Sequence, residues 1–133
     1  GSTLPPAARR RLAGAVAATV AAMHDAGIIH ADLNVKNLLV RHILDRPEVF
    51  VIDFDRARIV RSVSLRARMA NLVRLDRSVV KWKATRRAVT VSDRLRVLRC
   101  YLDRYPQWRA KWKQIARRYA TRHLLHQFTR ETR

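Results

Sequence analysis

The sequence predicts an α+β fold that is mainly helical. Three observations carry this. An alanine-rich segment near the start has apolar residues at helical spacing. Two short β-branched and aromatic runs flank a proline-containing turn. After residue 60 only helical periodicity is present. At 133 residues the chain is one ordinary domain or less. Its 48% apolar content is enough to fold rather than stay disordered.

Leu4-Pro5-Pro6 reads as a lead-in to a helix from about Ala7 to Ala26, with Leu12, Val16, Val20 and Met23 at helical spacing and Gly27 as its C-terminal cap. Ile28-Ile29 then leads into a polar stretch from His30 to Asn37. Leu38-Leu39-Val40 and Val49-Phe50-Val51-Ile52 are strand-type runs, and Asp45-Arg46-Pro47-Glu48 between them is a turn, so a hairpin is expected. Ser64 is the expected cap of a helix to about Ala84, with Leu65, Met69, Leu72, Leu75 and Val79 on one face. Ser92 is the expected cap of the next, with Leu95, Leu98 and Leu102 inside. Pro106 suits the first turn of a last helix whose inner stripe is Trp108, Trp112, Ile115 and Tyr119. The tryptophans read as core rather than as a base-stacking platform.

Composition excludes several classes. One cysteine, Cys100, leaves no internal disulfide and no Cys-based zinc site. Three glycines leave no Gly-rich phosphate loop within the chain. The longest apolar stretch, Leu12 to Met23, is too short to span a bilayer. Gly1-Ser2 reads as an expression scar and carries no argument.

Charge divides the chain. Residues 1–55 hold six basic and six acidic groups, so the whole net charge of +19 falls in residues 56–133. A block of this kind attracts polyanions: nucleic acid, anionic lipid headgroups or phosphorylated sugars.

The chemistry concentrates in the neutral half. Asp32 and Asn37 share the loop His30-Ala31-Asp32-Leu33-Asn34-Val35-Lys36-Asn37, and Asp53 follows the second strand in Ile52-Asp53-Phe54-Asp55. Asn37 and Asp53 offer hard oxygens, which suit Mg²⁺ rather than zinc. Asp32 can take a proton from a hydroxyl nucleophile while a metal neutralises phosphate charge. Phosphoryl transfer needs mainly positioning and charge neutralisation, and this set supplies both.

His30-x-Asp32-Leu33-x-x-x-Asn37 resembles the protein-kinase catalytic loop, and Asp53-Phe54-Asp55 sits where the kinase Asp-Phe-Gly motif would, one hairpin later. The resemblance implies a protein-kinase-like C-terminal lobe, with catalytic loop and short β-hairpin packed on a helical bundle. In kinases the motif histidine is structural. More narrowly, His30-Ala31-Asp32-Leu33-Asn34, Ile52-Asp53-Phe54-Asp55-Arg56 and the run Asn71-Leu72-Val73-Arg74-Leu75-x-Arg77-Ser78 resemble the lipopolysaccharide core kinases, in particular those acting on 3-deoxy-D-manno-octulosonic acid (Kdo). The likeness covers roughly residues 12–82. It implies Asp32 as catalytic base, with Asn37 also in the catalytic set, and Asn37 and Asp53 holding Mg²⁺ for ATP. Asp55 replaces the usual kinase glycine, and Asn34 stands where Ser/Thr kinases often have lysine, which points to a small-molecule or glycolipid acceptor. Lys36 is a candidate phosphate contact or simply an exposed lysine.

The resemblance also sets an expectation about extent. A kinase needs an N-terminal lobe over the nucleotide, and there is no room for one before Asp32. Residues 3–133 therefore read as one C-terminal lobe, with helix, loop and hairpin in 3–60 and a basic helical part in 61–133. The N-terminal lobe is expected to be absent and the isolated lobe poorly active. The expected partners are that missing lobe, Kdo-lipid A and an anionic membrane surface (each basic side chain there adding about 1 kcal/mol), and the expected location is cytoplasmic, peripheral to the inner membrane. Two alternatives stay open. One keeps the fold and changes the acceptor to another small molecule or a protein. The other is a non-catalytic basic helical module that binds nucleic acid, which would lead without Asp32, Asn37 and Asp53 and is disfavoured by their presence; no nucleic-acid motif is recognisable.

Overall fold

The computed structural model describes residues 4–115 and residue 117. The fold is mixed and mainly helical, as expected. Helix α1 spans Pro6–Asp25, with Pro6 in its first turn. Its most deeply buried stripe is Ala13, Ala17, Val20, Ala21 and His24, while Leu12 and Val16 are only half-buried. The alanines let α3 lie close against α1, and α1 against α3 is the largest helix contact in the fold.

Gly27 follows α1 with φ +85°, the left-handed conformation that lets a helix end and the chain turn. A side chain there would also run into the Val60 carbonyl, whose residue donates its N–H to Gly27 O at 2.7 Å. This close approach starts an unexpected feature. β1 (Ile28–Ile29) pairs antiparallel with β4 (Arg58–Ile59), so Ile28-Ile29 is a strand rather than a lead-in.

A 3₁₀ turn at Val35–Asn37 opens the hairpin expected from the sequence. β2 (Leu38–Arg41) pairs antiparallel with β3 (Glu48–Val51), Leu38 opposite Val51. Val49 is buried towards α1, whose Thr19 hydroxyl donates to the Val49 carbonyl at 3.2 Å; Leu39 and Phe50 face outward.

α2 spans Leu65–Lys81, and Ser64 caps it by accepting the Ala67 N–H at 3.2 Å. It stops short of Ala84. Trp82 turns extended, and the Thr85 hydroxyl donates to the Val79 carbonyl at 2.6 Å, satisfying a carbonyl the helix end leaves open. α3 spans Val91–Leu102, and its cap is Thr90, not Ser92. Thr90 Oγ1 accepts from the Asp93 N–H and the Asp93 carboxylate accepts from the Thr90 N–H, a reciprocal box that Ser92, inside the first turn, cannot make. The single last helix is instead two short ones, α4 (Pro106–Arg109) and α5 (Trp112–Ile115). Between them Lys111 N–H bonds three residues back to Trp108 O, a tighter spacing than an α-helix. The two tryptophans of this stripe have separate anchors: Trp108 lies against Tyr105 and under Arg68, and Trp112 under Arg99 and Arg109. They are core-associated, as expected. Tyr119 lies outside the described residues.

The core is built from Val20, Leu33, Met69, Tyr101 and Leu102, all essentially inaccessible. Leu33 belongs to the catalytic-type loop, so that loop is anchored in the core. Among the described residues no helix is long and apolar enough to cross a membrane.

Candidate active site

The loop between β1 and the 3₁₀ turn is fixed from within by His30. The Asp32 N–H donates to His30 Nδ1 at 3.0 Å, so Nδ1 carries no proton. The proton sits on Nε2, which donates to the Ile52 carbonyl at 3.1 Å. His30 thus ties the loop to the end of β3, buried at 3% exposure and with the Phe54 ring 5.4 Å away between centroids. It is structural, as the resemblance implied.

The same two chain segments bring the candidate residues together. Asn37 Nδ2 donates to the Asp32 carbonyl at 2.9 Å, closing the loop on itself. The Ile52 N–H donates to the Asn37 carbonyl at 2.8 Å, one residue before Asp53. Asp32, Asn37 and Asp53 therefore gather at one end of the hairpin. Asp53 is exposed, with φ +64°, a left-handed conformation that aspartate tolerates better than most residues. Asp32 is also open, its side chain 64% exposed, with Oδ1 accepting from Arg74 Nε at 3.1 Å. Lys36 is exposed, its ammonium 6.0 Å from the centre of the Trp82 ring, within cation–π reach. Asp55 is exposed.

The donor set fits magnesium of one kind. Among the described residues no three His, Cys, Asp or Glu side chains gather as a metal cage. A phosphate-bound Mg²⁺ needs none, since it keeps waters and phosphate oxygens and takes one or two protein oxygens. The Asn37 amide spends its nitrogen on the Asp32 carbonyl and leaves its oxygen without a hydrogen bond among the described residues, beside the Asp53 carboxylate's segment.

Three residues of α2 hold the loop from outside, and reasoning from the sequence gave none of them a role. Asn71 Oδ1 accepts from His30 N–H at 3.2 Å and from His24 Nε2–H at 3.0 Å, while Nδ2 donates to His30 O at 2.9 Å. Arg74 reaches Asp32. Ser78 Oγ accepts the Val35 N–H at 2.8 Å and donates to Leu75 O at 2.6 Å. The signal was present: 71, 74 and 78 are spaced by three and four, one helical face, and they place polar residues alongside the apolar stripe.

Behind Asn71 lies a buried polar chain. His24 Nε2 gives its proton to Asn71, so His24 Nδ1 accepts from the Tyr101 hydroxyl at 2.8 Å, and that oxygen accepts from Arg68 at 3.2 Å. Arg68 also pairs with Asp25 at 3.1 Å, to which the Tyr105 hydroxyl donates at 2.8 Å. Burial pushes the His24 pKa down and the Tyr101 and Tyr105 pKa values up, so these groups are neutral near pH 7.

Comparison with known proteins agrees with this architecture. A solved structure described as WaaP in complex with acyl carrier protein superposes with a TM-score of 0.65 and 31% identity, covering 96% of this chain and 49% of that one. The 3-deoxy-D-manno-octulosonic acid kinase of Photobacterium damsela subsp. piscicida is 37% identical over 71 residues, 53% of this chain and 28% of that protein. The protein of the same name from Photobacterium profundum is 40% identical over 72 residues, 54% and 28% respectively. The model of the lipopolysaccharide kinase (Kdo/WaaP) family matches residues 1–101. The chain belongs to that family. It aligns with about a quarter of the length of these curated relatives and about half of the solved one.

Proposed function

We propose that the chain is the C-terminal, catalytic-loop lobe of an ATP-dependent phosphotransferase that phosphorylates a hydroxyl of an inner-core lipopolysaccharide sugar, Kdo on Kdo-lipid A. The observation that carries this reading is the convergence of Asp32, Asn37 and Asp53 at one hairpin end through the Asn37–Asp32 and Ile52–Asn37 hydrogen bonds, in a member of this family. Asp32, exposed and reachable, takes the proton of the acceptor hydroxyl as that oxygen bonds to the γ-phosphorus of ATP, while the bond from that phosphorus to the bridging oxygen breaks and ADP leaves. Asn37 holds the loop carbonyl behind Asp32 and, with Asp53, would hold magnesium. When bound, magnesium neutralises charge on the phosphate oxygens. Lys36 stands in the same loop as an additional phosphate contact.

The rest of the nucleotide site comes from a lobe outside these 133 residues, a reading supported by the chain's covering 49% of the solved relative. The net charge of +19 supports docking to an anionic glycolipid at an anionic membrane surface, on the cytoplasmic side of the inner membrane and peripheral to it. The test is transfer of labelled γ-phosphate from Mg-ATP to a Kdo-bearing lipid A precursor by the longer parent protein, with Asp32→Ala alongside. Label on the sugar, lost in the variant, is expected. Absence of label from a folded, ATP-binding protein sends the acceptor elsewhere. Asp53→Asn separates this reading from a nucleic-acid module: it abolishes transfer here, and would leave polyanion binding unchanged there.

A further inference from the structure

Along α2, Asn71, Arg74 and Ser78 meet residues 30, 32 and 35 in order, so one helix face tracks the catalytic-type loop. Two of the three contacts are buried: Asn71 is 6% and Ser78 8% exposed. The middle one differs. The Arg74 side chain is 58% exposed and its Asp32 partner 64%. An exposed pair of this kind is weakly held, so a ligand can take over either partner. Arg74 spends only Nε on Asp32, and its two terminal nitrogens have no hydrogen-bond partner among the described residues. A guanidinium with that edge open is shaped to bind a carboxylate through two parallel hydrogen bonds. The relatives' named substrate, an octulosonic acid, carries a carboxylate and hydroxyls on one sugar.

We propose that Arg74 selects the acceptor: its free edge binds the carboxylate of a sugar acid, which brings a hydroxyl of the same sugar to Asp32. This rests on the kinase reading above and adds to it the group by which the acceptor is recognised. The Asp32 contact and the carboxylate contact use the same side chain, so acid recognition and placement of the hydroxyl are one event. An acceptor lacking the acid loses its hold beside the base.

The test compares the longer parent protein with its Arg74→Met and Arg74→Lys variants, each first shown folded by circular dichroism. The acceptors are a Kdo-bearing lipid A precursor and the same molecule with its Kdo carboxylate methylated. In the unmutated protein, methylation is expected to lower kcat/KM about tenfold to a hundredfold, mainly through the acceptor KM. Arg74→Met is expected to lower kcat/KM on the free acid by a similar factor and to become indifferent to methylation. Arg74→Lys keeps the charge without the two-pronged edge and falls between. An Arg74→Met or Arg74→Lys protein with the same acid-to-ester ratio as the unmutated one overturns the proposal while leaving the kinase reading intact. Lack of transfer to either acceptor by the unmutated protein overturns the choice of Kdo-lipid A as acceptor and this proposal with it.

Discussion

Asn71 and Arg74 sit one turn apart on the same helix and contact the same loop, yet their removal should cost very different amounts. Asn71→Ala deletes three hydrogen bonds and leaves three groups without partners: His24 Nε2–H, His30 N–H and His30 C=O. All lie in the interior, with His24 1%, His30 3% and Asn71 6% exposed. A buried donor or acceptor left unpaired costs about 1–3 kcal/mol, so the three together should cost about 3–6 kcal/mol once some relaxation is allowed. Against a typical domain stability of about 5–15 kcal/mol this is a large fraction. Arg74→Ala breaks a single exposed pair, and the expected cost is below about 1 kcal/mol. Asn71→Asp sharpens the test, because it keeps an acceptor for His30 N–H but has no donor for His30 O, so it should not restore stability. The assay is urea unfolding followed by circular dichroism, comparing midpoints at a common slope. A cost for Asn71→Ala below about 1 kcal/mol, or no greater than that of Arg74→Ala, would refute this assignment of the buried bonds.

Three further outcomes are expected. Thr90→Ala should destabilise by about 1 kcal/mol by removing the α3 cap, while Ser92→Ala stays within about 0.5 kcal/mol; equal losses in urea unfolding would contradict the capping assignment. Asp53→Gly should raise stability slightly, by up to about 1 kcal/mol, because glycine adopts φ +64° freely; in the longer parent protein it should abolish phosphate transfer, so thermal melting and activity move in opposite directions. Stability should also fall on acidification through His24. Its folded pKa lies below the ordinary 6.5, chiefly because it is buried, so the unfolded chain binds a proton first. The His24 contribution is complete above about pH 6.5 and declines below it, by up to about 1.4 kcal/mol per pH unit while the folded histidine stays neutral. Urea midpoints between about pH 7.5 and about pH 5.5 measure this, and a slope unchanged by His24→Phe would remove His24 as its source.

Much of the site was legible in the amino-acid order because its chemistry is local. Asp32 and Asn37 share one loop, five residues apart, and Asp53 follows a strand whose β-branched run is visible by itself. The β2–β3 hairpin, α1 with Gly27, and the Ser64 cap were likewise readable from short-range turn and capping chemistry. The Thr90 cap was missed although it too is local, because two hydroxyl residues compete within three positions and only the reciprocal bond to Asp93 separates them.

What local order could not reveal is choice of partner over long separations. Ile28-Ile29 is a strand only because Arg58-Ile59 returns to it. Asn71, Arg74 and Ser78 become the outer support of the loop only when α2 packs more than forty residues away in sequence from His30, Asp32 and Val35. The sequence by itself determined the mixed, mainly helical class, the hairpin and the identity of the acidic and amide oxygens, since periodicity and turn preference act within a few residues. The tertiary structure alone decided which polar side chains steady those oxygens and which stay open to a ligand. The reason is that a buried polar group must find a partner wherever packing supplies one, and an exposed one need not.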